Sequence, residues 1–279
     1  MRAAFDPSHA FDIVESTAEF GDGYSLSGVV CKPRLQSQEN TALVILNSGR
    51  MHRVGTCRMS VKLARQAAEK GFLSLRFDES GIGDSAARVV EVSDDDRVLE
   101  EIRAALEYLR QSFGISRFVL FGLCSGAQYS FRYALNDTSV VGLAGIDNWV
   151  YTSSKYLLRH YSARIFRLRS WTGIIRKGIE KMAPRVSDPL WIWAAPPPRK
   201  FMEDGYRKLV GRGTRLNYTY TGSGSSHIYN YTRQMFDMYP GVDFKDLLSV
   251  SYLPNASHIV IEPLEQEKVI CNIVTWLGR

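Results

Sequence analysis

The chain has 279 residues, a formal net charge of +6 and a composition that is 45% hydrophobic and 11% aromatic. These values are those of an ordinary globular protein with a sizeable core, and the length favours one α/β core that carries an inserted subdomain. No stretch reaches the roughly 18 apolar residues needed to span a membrane, and residues 1–20 lack the basic start and apolar region of a secretion signal. We therefore expect a soluble, cytoplasmic protein.

Short apolar runs alternate with segments of helical spacing along most of the chain. This alternation favours the α/β class, with a mostly parallel sheet covered by helices on both faces. It pauses at 151–200, so the sequence divides into a first core part (1–150), an insertion (151–200) and a second core part (201–279). Strands are predicted near 25–31, 42–46, 73–77, 118–121, 140–146, 216–220 and 247–253, and helices near 60–70, 94–111, 127–135, 201–210, 229–239 and after 263.

The most informative motif is Gly122-Leu123-Cys124-Ser125-Gly126, which follows the apolar run at 118–121. A strand that turns sharply into a helix, with a glycine two residues before and after the turn residue, is typical of a nucleophile elbow. The glycines are needed because neighbouring backbones come too close for a Cβ. Cys124 occupies the central position, whereas Ser125 is one residue out of frame, since a serine-centred motif would need glycine in place of Leu123.

Four segments in this order resemble the α/β-hydrolase superfamily over nearly the whole chain. They are the loop at 47–50, the turn at 76–85, the elbow and the segment 254–258, which ends in a histidine. The chain is most similar to the lid-bearing branch that includes lysophospholipase-like and serine-aminopeptidase-like proteins. The resemblance implies an α/β-hydrolase fold in which the insertion at 151–200 forms a helical lid over Cys124.

In this resemblance the elbow supplies a nucleophile and the loop after the last strand supplies a base. Cys124 would attack an acyl carbonyl, His258 would shuttle the proton, and a thioester acyl-enzyme would form. A helix N-terminus and a neighbouring imidazole both favour a reactive thiolate. The oxyanion needs two preorganised donors. We assign them to the backbone N–H of Ser125 and one backbone N–H from Gly49 or Arg50.

The carboxylate that usually completes such a site is missing from its usual place. It should follow the predicted strand at 216–220, yet residues 221–230 contain no Asp or Glu. The family also has a second location, after the strand that follows the elbow helix, and Asp147 stands there. The order Cys124, Asp147, His258 also keeps the sequence of nucleophile, acid and base. A Cys–His pair with an asparagine or with no third member is the alternative.

Other polar residues near these loops have simpler interpretations. His227, after the predicted strand at 216–220, is the rival base. His52 lies beside the predicted oxyanion loop and could contact substrate, although a surface position is the simpler interpretation. Asp78 precedes a glycine-rich turn that is mostly structural in this fold, and Asp94-Asp95-Asp96 complement the dipole of a helix N-terminus.

The four cysteines show neither metal-ligand spacing nor a dense disulfide framework. In a reducing compartment they are expected to be free thiols, and the sequence predicts no metal and no cofactor. Cys31 and Cys271 lie among apolar residues, which predicts that both belong to the core. Cys57 lies in a polar loop.

A cysteine-centred elbow is similar to that of dienelactone hydrolases, which hydrolyse a lactone, and of polyhydroxyalkanoate synthases, which transfer acyl groups from coenzyme A thioesters. The leading hypothesis is an ester or thioester hydrolase, and the second is an acyltransferase to an alcohol or amine. A third is a non-catalytic ligand-binding member of the fold, supported by the missing conventional acid.

The insertion also bears on partners, because residues 155–185 contain nine Lys or Arg against one acid, Glu180, interleaved with aromatic residues. This pattern would suit an acyl chain on an anionic carrier such as coenzyme A or acyl carrier protein, although a solvated helix face is the commoner outcome. Nucleic acid is not expected, since no nucleic-acid-binding fold accompanies the charge, and contact of the insertion with a membrane surface is left open.

Overall fold

The computed structural model describes residues 13–34, 40–88, 93–165, 196–222 and 229–279. The strands are β1 (Ile13–Phe20), β2 (Leu26–Pro33), β3 (Thr41–Ile45), β4 (Leu73–Phe77), β5 (Arg117–Leu123), β6 (Val140–Ile146), β7 (Arg215–Thr221) and β8 (Leu248–Leu253). The helices are α1 (Met59–Glu69), α2 (Asp94–Phe113), α3 (Ser125–Ala134), α4 (Ser154–Ile165), α5 (Arg199–Gly211), α6 (Gln234–Met238) and α7 (Pro263–Leu277).

All eight strands belong to one sheet, in the order β1-β2-β4-β3-β5-β6-β7-β8. β2 is antiparallel to β1 and β4, and every pairing from β4 to β8 is parallel. The mostly parallel sheet predicted from the sequence is confirmed. β1 was not predicted. It is an edge strand whose residues are mostly solvent-accessible, so it carries no apolar run that would reveal it.

The core lies on both faces of the sheet because the side chains of each strand alternate. On β3, Ala42 and Val44 face one cluster, whereas Leu43 and Ile45 face the other. Helices α2, α3 and α5 cover the first face, and α1 and α7 cover the second. Each buried Leu or Ile contributes roughly 1.5–3 kcal/mol, so this two-sided burial is the main stabilising term for the sheet.

The helix predicted over 229–239 is much shorter in the structure, where only Gln234–Met238 is helical. The Tyr229 ring stacks on Tyr220 with centroids 4.0 Å apart, and its hydroxyl donates to the carbonyl of Thr232 at 2.9 Å. These tertiary contacts hold the backbone before α6 in a non-helical path, which the local spacing of apolar residues does not reveal.

The two cysteines predicted for the core have different environments. Cys31 is fully buried on β2, and burial raises the pKa of its thiol to about 12. Cys271 is exposed, so that prediction is wrong. Its neighbours Ile270 and Ile273 form the buried face of α7, and Cys271 lies on the opposite side of the helix despite its apolar sequence context. Cys57 is exposed.

The segment predicted as an insertion begins with α4, and its part at 166–195 lies outside the described residues. The division of the chain at 150 and 200 therefore stays a prediction, as does the lid. Among the helices that are described, none combines the length and apolar character required to cross a membrane.

The junction of β5 and α3 requires glycine at position 122. A Cβ there would overlap the backbone of Gly126 and Ala127, because α3 passes directly over the end of the strand. Backbone atoms cannot yield as a flexible side chain can.

We expect Gly122→Ala to lower the free energy of unfolding by about 3 kcal/mol or more, measured by urea unfolding. Gly211→Ala is the matched control, since a Cβ on Gly211 meets no heavy atom within 4 Å and alanine favours the helix. Equal stability of the two variants would contradict the close packing of β5 against α3.

Candidate active site

The residues singled out in the sequence lie where the parallel strands end. The loop at 47–51 follows β3, Cys124 follows β5, Asp147 follows β6, and His258 lies in the loop between β8 and α7. The carboxyl ends of parallel strands meet at one edge of the sheet, where open α/β sheets bind their ligands. The topology therefore brings together residues that are far apart in the sequence.

Cys124 is the turn residue between β5 and α3. Its φ of 53° and ψ of −116° are uncommon for a residue other than glycine, and its N–H donates to the carbonyl of Ile146 at 2.8 Å. A Cβ on Gly126 would lie 2.5 Å from the carbonyl oxygen of Asn47, so the elbow is pressed against the loop after β3. The thiol is half-buried at the start of α3.

Asp147 is buried and tied to the neighbouring strand β7. Its N–H donates to the carbonyl of Thr219 at 2.9 Å. Oδ1 accepts the N–H of Thr221 at 2.7 Å, and Oδ2 accepts the Thr221 hydroxyl at 2.6 Å. Asp147 also has a positive φ of 50°, which Asp tolerates better than most residues.

His258 reaches the same carboxylate from the far side. Its Nδ1 lies 2.6 Å from Asp147 Oδ2, and its side chain is 18% exposed. The loop that carries it is drawn toward β7 at Gly222, whose N–H donates to the carbonyl of Leu253 at 2.8 Å and where a Cβ would overlap Pro254. This close approach of two strand ends positions the imidazole.

The electrostatics of the imidazole reflect both neighbours. Burial opposes protonation of His258, but hydrogen bonds with Asp147 and Cys124, and the negative charges of these two groups, raise its pKa to about 9. Because Nδ1 is engaged by Asp147, Nε2 is the nitrogen left for the thiol. The carboxylate thus holds an imidazole that interacts with the thiol, and a proton can pass between Cys124 and His258.

One of the predicted oxyanion donors, the N–H of Gly49, already has a hydrogen-bond acceptor in the structure. The backbone N–H of Gly49 donates to the Ser125 hydroxyl at 2.8 Å and is already occupied. The N–H of Ser125 itself lies in the first turn of α3, where backbone donors have no intrahelical acceptor. Arg50 follows Gly49 in an exposed turn that is closed by the N–H of Met51 donating to the carbonyl of Ser48 at 3.0 Å.

The other polar residues considered for the site, His227, His52 and Asp78, lie outside the Cys124–His258–Asp147 group or outside the described residues. His227 lies outside the described residues. His52 is partly exposed and lies 3.3 Å from Asp78 and 3.9 Å from Asp84. These three side chains could converge on a metal ion, but the guanidinium of Arg53 already bridges the two carboxylates. Asp78 is fully buried and also accepts the N–H of Arg53, so its contacts tie the turn after β4 to the loop after β3.

Thr221, which holds the Asp147 carboxylate, is a site residue that the sequence analysis did not predict. The sequence nevertheless contains a pattern that points to it. Thr221 stands at the end of β7, where the sequence analysis expects a catalytic carboxylate and the chain has none. A hydroxyl residue in that place, together with an Asp at the end of the neighbouring strand, is the pattern that would have identified it.

We expect Asp147→Asn to lower the pKa of His258 from about 9 toward its usual 6.5, because the largest force that raises it is the hydrogen bond with the carboxylate. The His258 ring protons followed by NMR through a pH titration measure this change. Asp246→Asn, a substitution on an exposed residue elsewhere, should leave the titration unchanged. An unaltered His258 titration in Asp147→Asn would contradict the observed pairing.

We expect Thr221→Val to destabilise the protein by about 1–3 kcal/mol, because a buried carboxylate loses a hydroxyl donor. Thr221→Ser keeps the donor and should recover most of that loss in urea unfolding. The control is Thr219→Val, a change of the same size on an equally buried residue of β7 that contacts Asp147 through its backbone oxygen. Equal losses for the two valine variants would contradict a specific role of the Thr221 hydroxyl.

Comparison with known proteins places this arrangement in a family. A sequence profile of serine aminopeptidases, S33, matches residues 38–204, which is more than half of the chain. A search of curated protein sequences found no match.

Solved structures with a similar fold cover nearly the whole chain. An esterase from Pyrococcus furiosus is 13% identical with a TM-score of 0.60, over 100% of this chain and 96% of that chain. Alpha/beta hydrolase domain-containing protein 10 from mouse is 15% identical with a TM-score of 0.56, over 94% and 98% of the two chains. An α/β serine hydrolase without lid from Xanthomonas campestris is 14% identical with a TM-score of 0.54, over 94% of both. The predicted α/β-hydrolase fold is confirmed, and the chain belongs to the serine aminopeptidase S33 family of α/β-hydrolase enzymes.

Proposed function

We propose that the protein is an acyl-transfer enzyme that works through a thioester on Cys124 and most readily hydrolyses an ester or thioester. The observation that carries this proposal is the position of His258, whose Nδ1 lies 2.6 Å from the Asp147 carboxylate and whose pKa is raised by Asp147 and by the Cys124 thiol. Nucleophile, base and orienting acid are the three parts that covalent acyl transfer requires.

Serine is the usual nucleophile of this family, and the geometry favours cysteine in this chain. Cys124 is the turn residue of the elbow, and its thiol contributes to the raised pKa of His258. The neighbouring Ser125 is already in the first turn of α3, and its hydroxyl accepts the N–H of Gly49. Ser125 is therefore engaged away from the imidazole.

The proposed reaction begins with transfer of the Cys124 proton to His258. A pKa of about 9 means that the imidazole is basic enough to take this proton and to hold it near neutral pH. The thiolate attacks the acyl carbonyl, and a tetrahedral oxyanion forms. As the intermediate collapses, the leaving alcohol or thiol takes the proton from His258. Water then gives a proton to His258 and attacks the thioester, and the collapse of the second intermediate returns that proton to Cys124 and releases the acid.

Asp147 has an orienting role in this scheme. It holds Nδ1 of His258 in the protonated tautomer, so Nε2 faces the thiol, and its negative charge stabilises the imidazolium. Thr221 in turn fixes the carboxylate. These contacts supply the acid function from β6, although the family usually places it after β7.

Transfer to an alcohol or amine stays open as the alternative fate of the acyl group. The basic segment proposed to meet an anionic carrier lies largely outside the described residues. Two of its cations have internal partners, since Lys155 pairs with Asp237 at 3.1 Å and Arg159 lies over the ring of Tyr231. Hydrolysis is therefore the function that we place first.

We expect intact-mass measurement after incubation with a panel of activated acyl thioesters to show one acyl adduct per chain. The adduct should be absent in Cys124→Ala and retained in Cys57→Ala, which removes an exposed thiol instead. Decay of the isolated adduct in buffer indicates a hydrolase, whereas decay only after an alcohol or amine is added indicates a transferase. Turnover that survives in Cys124→Ala would overturn the proposed nucleophile.

A further inference from the structure

The side chain of Ser125 links the elbow to the loop after β3. The backbones of Gly126 and Asn47 approach so closely that no Cβ fits between them. Asn47 is buried, and its Oδ1 accepts the N–H of Glu79 at 3.0 Å, which fixes the start of the loop. Two residues further, the N–H of Gly49 donates to Ser125 Oγ at 2.8 Å.

This contact changes the inventory of donors around Cys124. The Gly49 N–H, which a conventional oxyanion hole would use, donates instead to the Ser125 hydroxyl oxygen. A hydroxyl that accepts a hydrogen bond still has its own proton to donate. Among the described residues, no acceptor is found for the Ser125 hydroxyl proton. Besides the N–H of Arg50 in the exposed turn, the donors next to Cys124 therefore include the backbone N–H and the hydroxyl of Ser125.

We propose that the Ser125 hydroxyl is a catalytic oxyanion donor, polarised by the Gly49 N–H and acting together with the Ser125 backbone N–H on the substrate carbonyl oxygen. The inference rests on the proposed acyl transfer through Cys124. A serine at the start of a helix can direct its N–H and its O–H to one anionic oxygen, because both groups point out of the first turn. Gly49 then acts through Ser125, without touching the substrate.

Hydrogen-bond geometry supports a direct role for the Ser125 hydroxyl and an indirect role for the Gly49 N–H. Two hydrogen bonds of about 2.8 Å that meet at a tetrahedral hydroxyl place their outer atoms roughly 4.5 Å apart. An oxyanion bound by the Ser125 hydroxyl is therefore out of direct reach of the Gly49 nitrogen. Donation from Gly49 also strengthens the Ser125 hydroxyl as a donor, since successive hydrogen bonds polarise one another.

The alternative is that Ser125 blocks the Gly49 N–H in the resting protein and moves away when substrate binds. The two possibilities predict opposite signs. If the hydroxyl is a donor, its removal slows formation of the oxyanion. If it is a blocking group, its removal frees Gly49 and leaves catalysis unchanged or faster.

The test compares Ser125→Thr with Ser125→Val, two side chains of one shape that differ in the hydroxyl, together with Ser125→Ala. Steady-state kinetics use whichever activated ester or thioester the wild-type protein turns over. We expect kcat to fall about 30–100-fold in the Val and Ala variants with KM nearly unchanged, and to stay within about fivefold of wild type in Ser125→Thr. Ser116→Ala, on an exposed residue just before β5 and so at the strand end opposite the elbow, is the control with unchanged kinetics.

A second readout separates a donor from a merely structural residue. Replacing the carbonyl oxygen of an ester substrate by sulfur gives a poor hydrogen-bond acceptor, so loss of an oxyanion donor should cost the thionoester less than the oxygen ester. Equal losses on both substrates, or kinetics of Ser125→Val that match Ser125→Thr, overturn the inference. If wild type turns over a substrate independently of Cys124, or forms no acyl adduct with any, the proposed function itself fails and the role of Ser125 with it.

Discussion

The buried carboxylate of Asp147 is the interaction on which the site depends. It accepts the N–H and hydroxyl of Thr221 and contacts Nδ1 of His258, so it joins the ends of β6, β7 and β8 through a single side chain. A buried charge is tolerated only when donors surround it. The hydrogen bonds that hold Asp147 therefore also fix the imidazole next to Cys124.

Backbone strain accompanies this arrangement. Cys124 and Asp147 both have positive φ values, 53° and 50°, although neither is glycine. Such conformations cost on the order of 1 kcal/mol each and persist where the surrounding structure determines them. Here the cause is visible, since the N–H of Cys124 is held by Ile146 and the N–H of Asp147 by Thr219. The two side chains are thereby turned out of adjacent strands toward the same edge of the sheet.

The proposed sulfur nucleophile and the proposed acid at Asp147 fit one physical scheme. A thiol gives up its proton more readily than a serine hydroxyl, so the imidazole needs less help from its acid. The protein nevertheless retains a fully hydrogen-bonded carboxylate, supplied from β6 and held by Thr221 at the end of β7. The proposed donor role of Ser125 belongs to the same scheme, because the residue next to the cysteine is the one that bridges the elbow and the loop after β3.

The sequence by itself determined the parallel sheet, the elbow with Cys124 at its centre, and the strand ends that carry Asp147 and His258, because apolar periodicity, turn glycines and chain order are local signals. Only the tertiary structure decided which residues the site residues contact through hydrogen bonds. Thr221 meets Asp147 across 74 residues, His258 meets it across 111, and Gly49 meets Ser125 across 76. It also revealed the edge strand β1, the short α6 and the exposed Cys271. Such features depend on strand register, on aromatic packing and on which face of a helix is covered, and these are set by contacts between segments that no local pattern encodes.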